Sequence, residues 1–268
     1  YQDIADGKQG KQVRPVSAKR ASVLELPLTA YQKWADEVEA GFIEASKFLA
    51  GECFFSRKEL PYGTQLVPLA ATMTLLGELC GGAVETRIAV DLEELMDWFE
   101  DDSATPRTVT DASFDPERLE SLRSRLSAAY KGINVLILRE GASDFFWKGR
   151  IQDLDKQEVA LDIHHIFPRA WCEANSIPPK VYDSIINKTP ISYKANRMIG
   201  GDAPSAYLSK LQNLEQVQLD DNGMNAILRG HCIPTEALRS DDFHSFFEER
   251  KGLLIGLIEK AIGKKSLA

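Results

Sequence analysis

The pattern of apolar and polar residues along this chain is mostly that of amphipathic helices. In residues 28–51 the apolar side chains recur every three or four positions, which is the period of one helix face. Residues 64–81 are apolar on nearly all sides, which predicts a helix in the protein core. Residues 85–101 and 115–132 share the helical period, and a long amphipathic stretch at 240–265 closes the chain.

One segment departs from this helical pattern. Residues 159–166, VALDIHHI, alternate and contain β-branched side chains, which is typical of a strand. Residues 187–192, NKTPIS, predict a second short strand, and residues 203–211 predict a short helix with Pro204 in its first turn. The order strand, long loop, strand, helix is that of a ββα module. The fold class is therefore α+β, mainly α with a small ββα module.

Two adjacent histidines, His164 and His165, stand at the end of the first predicted strand. Because successive side chains of a strand point to opposite faces, Asp162 and His164 are expected on one face and His165 on the other, unless the strand ends at the pair. Pro168 favours such an end, since proline cannot continue a paired central strand. Both imidazoles are then expected to reach one site.

These patterns divide the chain into four parts. Residues 1–19 are expected to be a flexible lead-in, and residues 20–150 a helical domain. Residues 151–215 form the ββα module, and residues 216–268 are expected to brace it with helices. Because the chain begins at Tyr1 without a methionine, we expect it to be a fragment of a longer protein or a trimmed form.

Composition and charge narrow the possible functions. The net charge of −8 argues against nonspecific binding of nucleic acid. Residues 161–214, however, hold six Lys and Arg against four Asp and Glu, so that segment carries +2 and the remainder −10. Its cations Lys188, Lys194 and Arg197 are the candidate phosphate contacts.

The cellular location follows from what the sequence lacks. No apolar run reaches the roughly 20 residues that span a bilayer, so no membrane partner is expected. The four cysteines are far apart and form no zinc-binding or disulfide pattern. A reducing cytoplasm is therefore the expected location.

The ββα segment holds the side chains that phosphodiester hydrolysis requires. That reaction needs a base active near neutral pH, and a divalent cation to neutralise charge and assist the departing oxygen. His165 is the candidate base, and His164 with Asn196 are the candidate ligands of one ion. Asn187 could hydrogen-bond the backbone across the loop or orient His165, and both alternatives stay open.

Three motifs carry a resemblance to a known family: DIHHIFP at 162–168, INKTPIS at 186–192 and ANRMIGGDAPSAYL at 195–208. Together they resemble the HNH, or ββα-metal, nuclease motif. The helical stretches before them and the terminal helix resemble those of GmrSD-type restriction proteins, so the resemblance covers almost the whole chain from about Lys19.

The resemblance implies a metal-dependent DNA endonuclease, the effector part of a bacterial restriction or anti-phage system, which nicks DNA or cuts both strands. It places the metal ligands at His164 and Asn196, the general base at His165 and the middle asparagine at Asn187. The implied partners are double-stranded DNA and an N-terminal ParB-like sensing or nucleotide-hydrolysing domain. The DGQQR-like motif of that domain is absent from this sequence, in agreement with a fragment.

The identity of the metal depends on one departure from the family pattern. Many HNH nucleases have aspartate where this chain has His164, and a nitrogen ligand shifts preference toward Mn²⁺, Ni²⁺ or Zn²⁺ relative to Mg²⁺. We expect one divalent ion, Mg²⁺ or Mn²⁺ first, with Asp162 orienting His164 from the same strand face. The other histidines, His231 and His244, are expected at the surface or in helix packing.

Two other functions remain open. The module could be a catalytically degenerate DNA-binding or scaffold domain, whose helical part docks a partner. It could also be a nuclease directed at RNA, because the chemistry requires only a phosphodiester.

Overall fold

The computed structural model describes residues 24–76, 103–155 and 159–266, and also Ala21, Glu94, Asp97, Trp98 and Asp101. The chain divides into two compact units, one up to Ala112 and the other from Ser113. The boundary predicted from the apolar pattern lies later in the chain, near residue 150. The lead-in expected at 1–19 and nearly all of the helix predicted at 85–101 lie outside the described residues.

The first unit is built on two helices that pack tightly. Helix α1 spans Leu28–Gly51 and α2 spans Leu66–Leu76, so both predicted helices are confirmed within the described residues. A short helix, α3, spans Arg107–Thr110. Gly41 lets α1 approach α2 closely, because a Cβ there would lie 2.0 Å from Oγ1 of Thr74. The small apolar core of this crossing consists of Ala45, Leu69, Ala70 and Met73.

The second unit is mainly helical with one small sheet, as the fold class predicts. Its helices are α4 (Arg118–Ser121), α5 (Ala128–Arg139), α6 (Arg169–Ala174), α7 (Pro179–Tyr182), α8 (Tyr193–Ile199), α9 (Pro204–Gln212), α10 (Asp221–Gly230), α11 (Thr235–Arg239) and α12 (Phe243–Ile262). Its strands are β1 (Leu161–His165) and β2 (Lys188–Ser192).

The single helix predicted over 115–132 is wrong. The chain forms α4, turns extended at Leu122, and begins α5 only at Ala128. The Ser127 hydroxyl accepts a hydrogen bond from the backbone N–H of Tyr130, so Ser127 caps a new helix in the middle of the predicted one. Residues 133–141, INVLILREG, form an apolar run whose pattern allows a buried helix or a strand, and in the structure α5 continues through this run to Arg139.

The two predicted strands form an antiparallel pair. Leu161 pairs with Ser192, and His165 at the other end pairs with Lys188. A backbone hydrogen bond from the N–H of Ile166 to the carbonyl of Asn187 extends the pairing one step further. The strands therefore exist where the alternation predicts them, and pairing does not stop before the histidines.

Helix α8 follows β2 directly, where the sequence pattern predicts no helix. Ser192 caps it, and Ser192 is itself held by the buried Asp144 carboxylate, which accepts from its backbone N–H at 2.6 Å and its hydroxyl at 3.0 Å. The helix ends at Gly200, whose φ of +59° suits glycine. The predicted helix at 203–211 is confirmed as α9.

A buried arginine attaches the terminal helix to the sheet. Arg250 of α12 is fully buried and donates hydrogen bonds to the carbonyls of Ile186, Lys188 (2.9 Å) and His231 (3.2 Å). Beside it, Phe246 of α12 packs on Phe167 with ring centroids 4.9 Å apart. Helix α12 thus holds the start of β2 in place.

No described helix combines the length and apolar character needed to cross a bilayer. The cysteines within the described ranges, Cys53, Cys172 and Cys232, are free thiols.

Candidate active site

The two histidines lie on opposite faces of the strand pair. Within the antiparallel register, His164 stands opposite Thr189 and His165 opposite Lys188. Side chains of directly paired residues share a face, and successive residues alternate. The expectation that a strand end brings both imidazoles to one face is therefore not met. Two adjoining side-chain clusters result, one around each histidine.

The first cluster contains Arg125, Asp162 and His164. Oδ1 of Asp162 accepts from Nη1 of Arg125 at 2.6 Å and from the N–H of Ile163 at 2.7 Å. Oδ2 of Asp162 lies 3.4 Å from Nε2 of His164, without the geometry of a hydrogen bond. Asp162 therefore lies beside His164 on one face, as expected, but its charge is shared with Arg125.

One buried polar atom of this cluster, Nε2 of His164, lacks a hydrogen-bond partner. The hydroxyl of Tyr130 on α5 is also buried, and it interacts with the Arg125 guanidinium. The charges of Arg125 and Asp162 both act on this hydroxyl, and burial raises the pKa of Tyr130 to about 12. Buried polar atoms are normally satisfied, so Nε2 of His164 is available to a polar ligand.

This unsatisfied nitrogen fits the expected ion only in part. A neutral imidazole with an unused Nε2 is a suitable ligand for Mn²⁺ or Mg²⁺ beside a carboxylate. The part of the chain that the structure describes, however, contains no group of three or more His, Cys, Asp or Glu side chains arranged to hold a metal. Water and phosphate oxygens would have to fill most positions around an ion held by His164.

The second cluster contains His165, Asp183 and Lys188. Nε2 of His165 lies 2.9 Å from Oδ1 of Asp183, and Nζ of Lys188 lies 3.4 Å from the same oxygen. The imidazole also packs edge-on against the ring of Tyr182, at 5.9 Å between centroids. Lys188, a predicted phosphate contact, is only 7% exposed and points to Asp183.

Both imidazoles favour the neutral form. Burial lowers the pKa of His165, and the charge of Lys188 lowers it further, although the hydrogen bond to Asp183 opposes this. Burial also lowers the pKa of His164, with Asp162 opposing. The positive charge of Arg125 also lowers the pKa of both histidines. A neutral imidazole is the form that can accept a proton or bind a cation.

Asn187 holds the loop between the strands closed. Its Oδ1 accepts from the N–H of Phe167 at 2.9 Å, and its Nδ2 donates to the carbonyls of Phe167 (3.0 Å) and Tyr182 (3.1 Å). The side chain is fully buried. Of the two roles expected for Asn187, the hydrogen bonds to the backbone across the loop are present. Asn187 affects His165 only by holding that loop in position.

Helix α8 carries the remaining predicted residues. Asn196 is half-buried there, beside the buried Ala195. Lys194 and Arg197 are exposed: the Lys194 ammonium lies 4.0 Å from the ring centre of Phe146, and the Arg197 guanidinium lies 5.9 Å from that of Tyr193. These two cations, unlike Lys188, are accessible to a phosphate backbone.

Sequence reasoning missed Asp183, Arg125 and Tyr130. Asp183 had a usable signal: it comes shortly before β2, and β2 begins opposite His165, so residues just before β2 must pass near that imidazole. Arg125 and Tyr130 had none, because they reach the site from α5 and the turn before it, more than 30 residues from β1 in sequence.

No family model and no solved structure matches this chain. It is 28% identical over 209 residues to a protein of Methanocaldococcus jannaschii, uncharacterized protein MJ0686. The match covers 72% of this chain and 35% of that protein. The chain thus spans about a third of the length of this relative.

Proposed function

We propose that this chain is a metal-dependent HNH-type DNA endonuclease, the effector part of a restriction or anti-phage defence system. One observation carries the proposal. At the end of a two-stranded ribbon, His164 has a buried, unpartnered Nε2, and the adjacent His165 is neutral and held by a carboxylate. A ligand for a cation and a base for water are thus adjacent in sequence at one end of the strand pair, on opposite faces of it, and phosphodiester hydrolysis requires both groups.

Each residue has a distinct part in the proposed reaction. His165 accepts the proton of the attacking water. His164 and Asn196 would hold Mg²⁺ or Mn²⁺, which would neutralise charge at the scissile phosphate and stabilise the departing oxygen. Asp162 keeps negative charge beside His164, and Asn187 keeps the loop in place. Lys194 and Arg197 contact the DNA backbone.

The proposal extends to the longer protein and its location. The resemblance to GmrSD-type proteins supports a ParB-like sensing domain elsewhere in the full-length molecule and double-stranded DNA as the substrate. The cytoplasm, where that DNA lies, is the proposed place of action.

A plasmid cleavage assay tests the proposal. With supercoiled plasmid and Mg²⁺ or Mn²⁺, we expect nicked or linear DNA from the natural sequence. His165→Ala should reduce the rate about 100-fold or more, because general-base catalysis contributes about that much. His244→Ala is the matched control, since His244 is exposed on α12 and should be dispensable. Equal cleavage by the natural sequence and His165→Ala would sink the assignment.

A degenerate DNA-binding module is the second candidate, because no group of three ligating side chains lies within the described ranges. Titration with Mn²⁺ in the presence of DNA, followed by electron paramagnetic resonance, separates the two. A nuclease should bind one Mn²⁺ that His164→Ala loses. The absence of any Mn²⁺ site would favour the binding module. Repeating the cleavage assay on an RNA of the same sequence tests the RNA alternative.

A further inference from the structure

The carboxylate of Asp183 makes the closest polar contact of His165. Asp183 follows α7, in the turn that leads into β2, and its Oδ1 lies 2.9 Å from Nε2 of His165. No catalytic role in the proposed reaction uses Asp183. A carboxylate within hydrogen-bond distance of a candidate base is the usual means of fixing an imidazole.

This contact determines which ring nitrogen can act as a base. An ionised carboxylate only accepts hydrogen bonds, so Nε2 of a neutral His165 must carry the proton. The lone pair is then on Nδ1. The Tyr182 ring, packed edge-on at 71° to the imidazole, restricts rotation of the ring about its bond to the strand. The proton-accepting nitrogen therefore has a fixed direction.

Lys188 supports the carboxylate from the opposite strand. Its largely buried ammonium lies 3.4 Å from the same Oδ1. Hydrogen bonds and charge from His165 and Lys188 lower the pKa of Asp183, although burial opposes them. Asp183 thus remains an acceptor at neutral pH, and the function of Lys188 is to stabilise this acceptor.

We infer that Asp183 is the positioning residue of His165: it holds the proton on Nε2 and directs Nδ1 to the attacking water. The inference rests on the proposed function. In the hydrolysis, the water oxygen bonds to phosphorus and its proton passes to Nδ1 while the ester P–O bond breaks. The departing oxygen then takes a proton from bulk water.

The tautomer can be observed without metal or DNA. In the metal-free protein labelled with ¹⁵N-histidine, long-range ¹H–¹⁵N spectra distinguish a protonated from an unprotonated ring nitrogen, and His165→Gln assigns the signal. We expect His165 to be protonated at Nε2. Asp183→Ala should give averaged nitrogen shifts, whereas Asp183→Asn should preserve the tautomer, because its amide oxygen can still accept. Unchanged shifts in Asp183→Ala would overturn the inference.

Cleavage kinetics test the role of this tautomer in the reaction. Asp183→Ala should lower kcat about 10- to 100-fold, with KM unchanged, and Asp183→Asn should lose less. Asp202→Asn is the matched control, because Asp202 forms a similar pair with Lys210 at 3.6 Å on α9. A raised KM with unchanged kcat would overturn the positioning role.

The two proposals fail in different ways. If His165→Ala cleaves DNA as the natural sequence does, the proposed function fails. If His165→Ala is inactive but Asp183→Ala retains full kcat, only the inference fails. Asp183 is 40% exposed at its side chain, so its variants should fold, and thermal unfolding within a few degrees of the natural sequence verifies this.

Discussion

At the scale of single residues, the surroundings of a side chain separate groups that look equivalent in the sequence. His164 and His165 are adjacent, but one lies beside Asp162 with an unsatisfied Nε2 and the other is bonded to Asp183. Lys188 and Lys194 are both near the site, but only Lys194 is exposed. These differences follow from strand alternation, from strand pairing and from the start of α8 directly after β2, and they assign different functions to residues of the same type.

The exposure of these cations predicts how each one contributes to DNA binding. The affinity for double-stranded DNA without metal should fall with salt, and each phosphate contact adds about one to the slope of log affinity against log salt. Lys194→Met and Arg197→Met should each lower that slope by about one. Lys188→Met should leave it unchanged, because the Lys188 ammonium is directed at Asp183 and not at solvent.

Fluorescence anisotropy of a labelled duplex at several salt concentrations measures the slope. Lys210→Met, which removes an exposed cation on α9 outside the site, is the control. A slope reduced by Lys188→Met as much as by Lys194→Met would return Lys188 to the phosphate contacts.

At the scale of elements, hydrogen bonds from one side chain hold the loop between β1 and β2 closed. The Asn187 side chain joins the two ends of this loop by three hydrogen bonds to backbone atoms. The turn that carries Asp183 lies within the same loop. The position of Asp183 relative to His165 thus depends on Asn187. This dependence explains the presence of a buried amide side chain at position 187.

Asn187→Ala should lower the free energy of unfolding by about 3 kcal/mol, because it leaves the buried N–H of Phe167 and the carbonyl of Tyr182 without partners, and the carbonyl of Phe167 with only the weak thiol donor of Cys172. Urea unfolding followed by circular dichroism measures this loss. Asn175→Ala, at an exposed amide in the same loop, should cost less than about 0.5 kcal/mol. Equal effects of the two substitutions would contradict the loop-closing role of Asn187.

At the scale of the whole molecule, the second unit is held together by buried polar contacts between distant segments. His231, at the end of α10, is the clearest: its Nδ1 lies 2.7 Å from Oγ1 of Thr189, and its Nε2 lies 2.8 Å from the carbonyl of Ser143. Because a carbonyl can only accept a hydrogen bond, Nε2 of His231 carries the proton, and Nδ1 accepts a hydrogen bond from the Thr189 hydroxyl. Of the two roles expected for His231, the surface role is wrong.

This histidine makes stability depend on pH. Burial lowers its pKa from 6.5 to about 4, so in acid the unfolded chain binds a proton that the folded chain does not. Its contribution to stability is complete above pH 6.5 and is lost as pH falls toward 4. Between pH 7 and pH 5 the loss should be about 2 kcal/mol.

Urea unfolding at pH 7 and pH 5 provides the measurement. His231→Gln should be less stable at pH 7 but should show a pH dependence about 2 kcal/mol smaller than that of the natural sequence. The same pH dependence in both proteins would refute this role for His231.

The sequence by itself determined the local elements of this protein. Helical periodicity located α1, α2 and α12, and alternation located β1 and β2, because both depend on residues only a few positions apart. Local pattern also predicts one helix across Ser127, where two helices exist, and it predicts no helix at α8, whose capping residue is held by the buried Asp144. Even the order of His164, His165, Asn187 and Asn196 was available from the sequence.

Only the tertiary structure decided which of these side chains meet. It put the histidines on opposite faces, removed Lys188 from the surface, and brought Asp183 to His165 and Arg125 to Asp162. The contacts of Asp183 and Arg125 join residues 18 and 37 positions apart. Such pairs are selected by packing and by the need to satisfy buried polar groups, and no local period of the sequence records either.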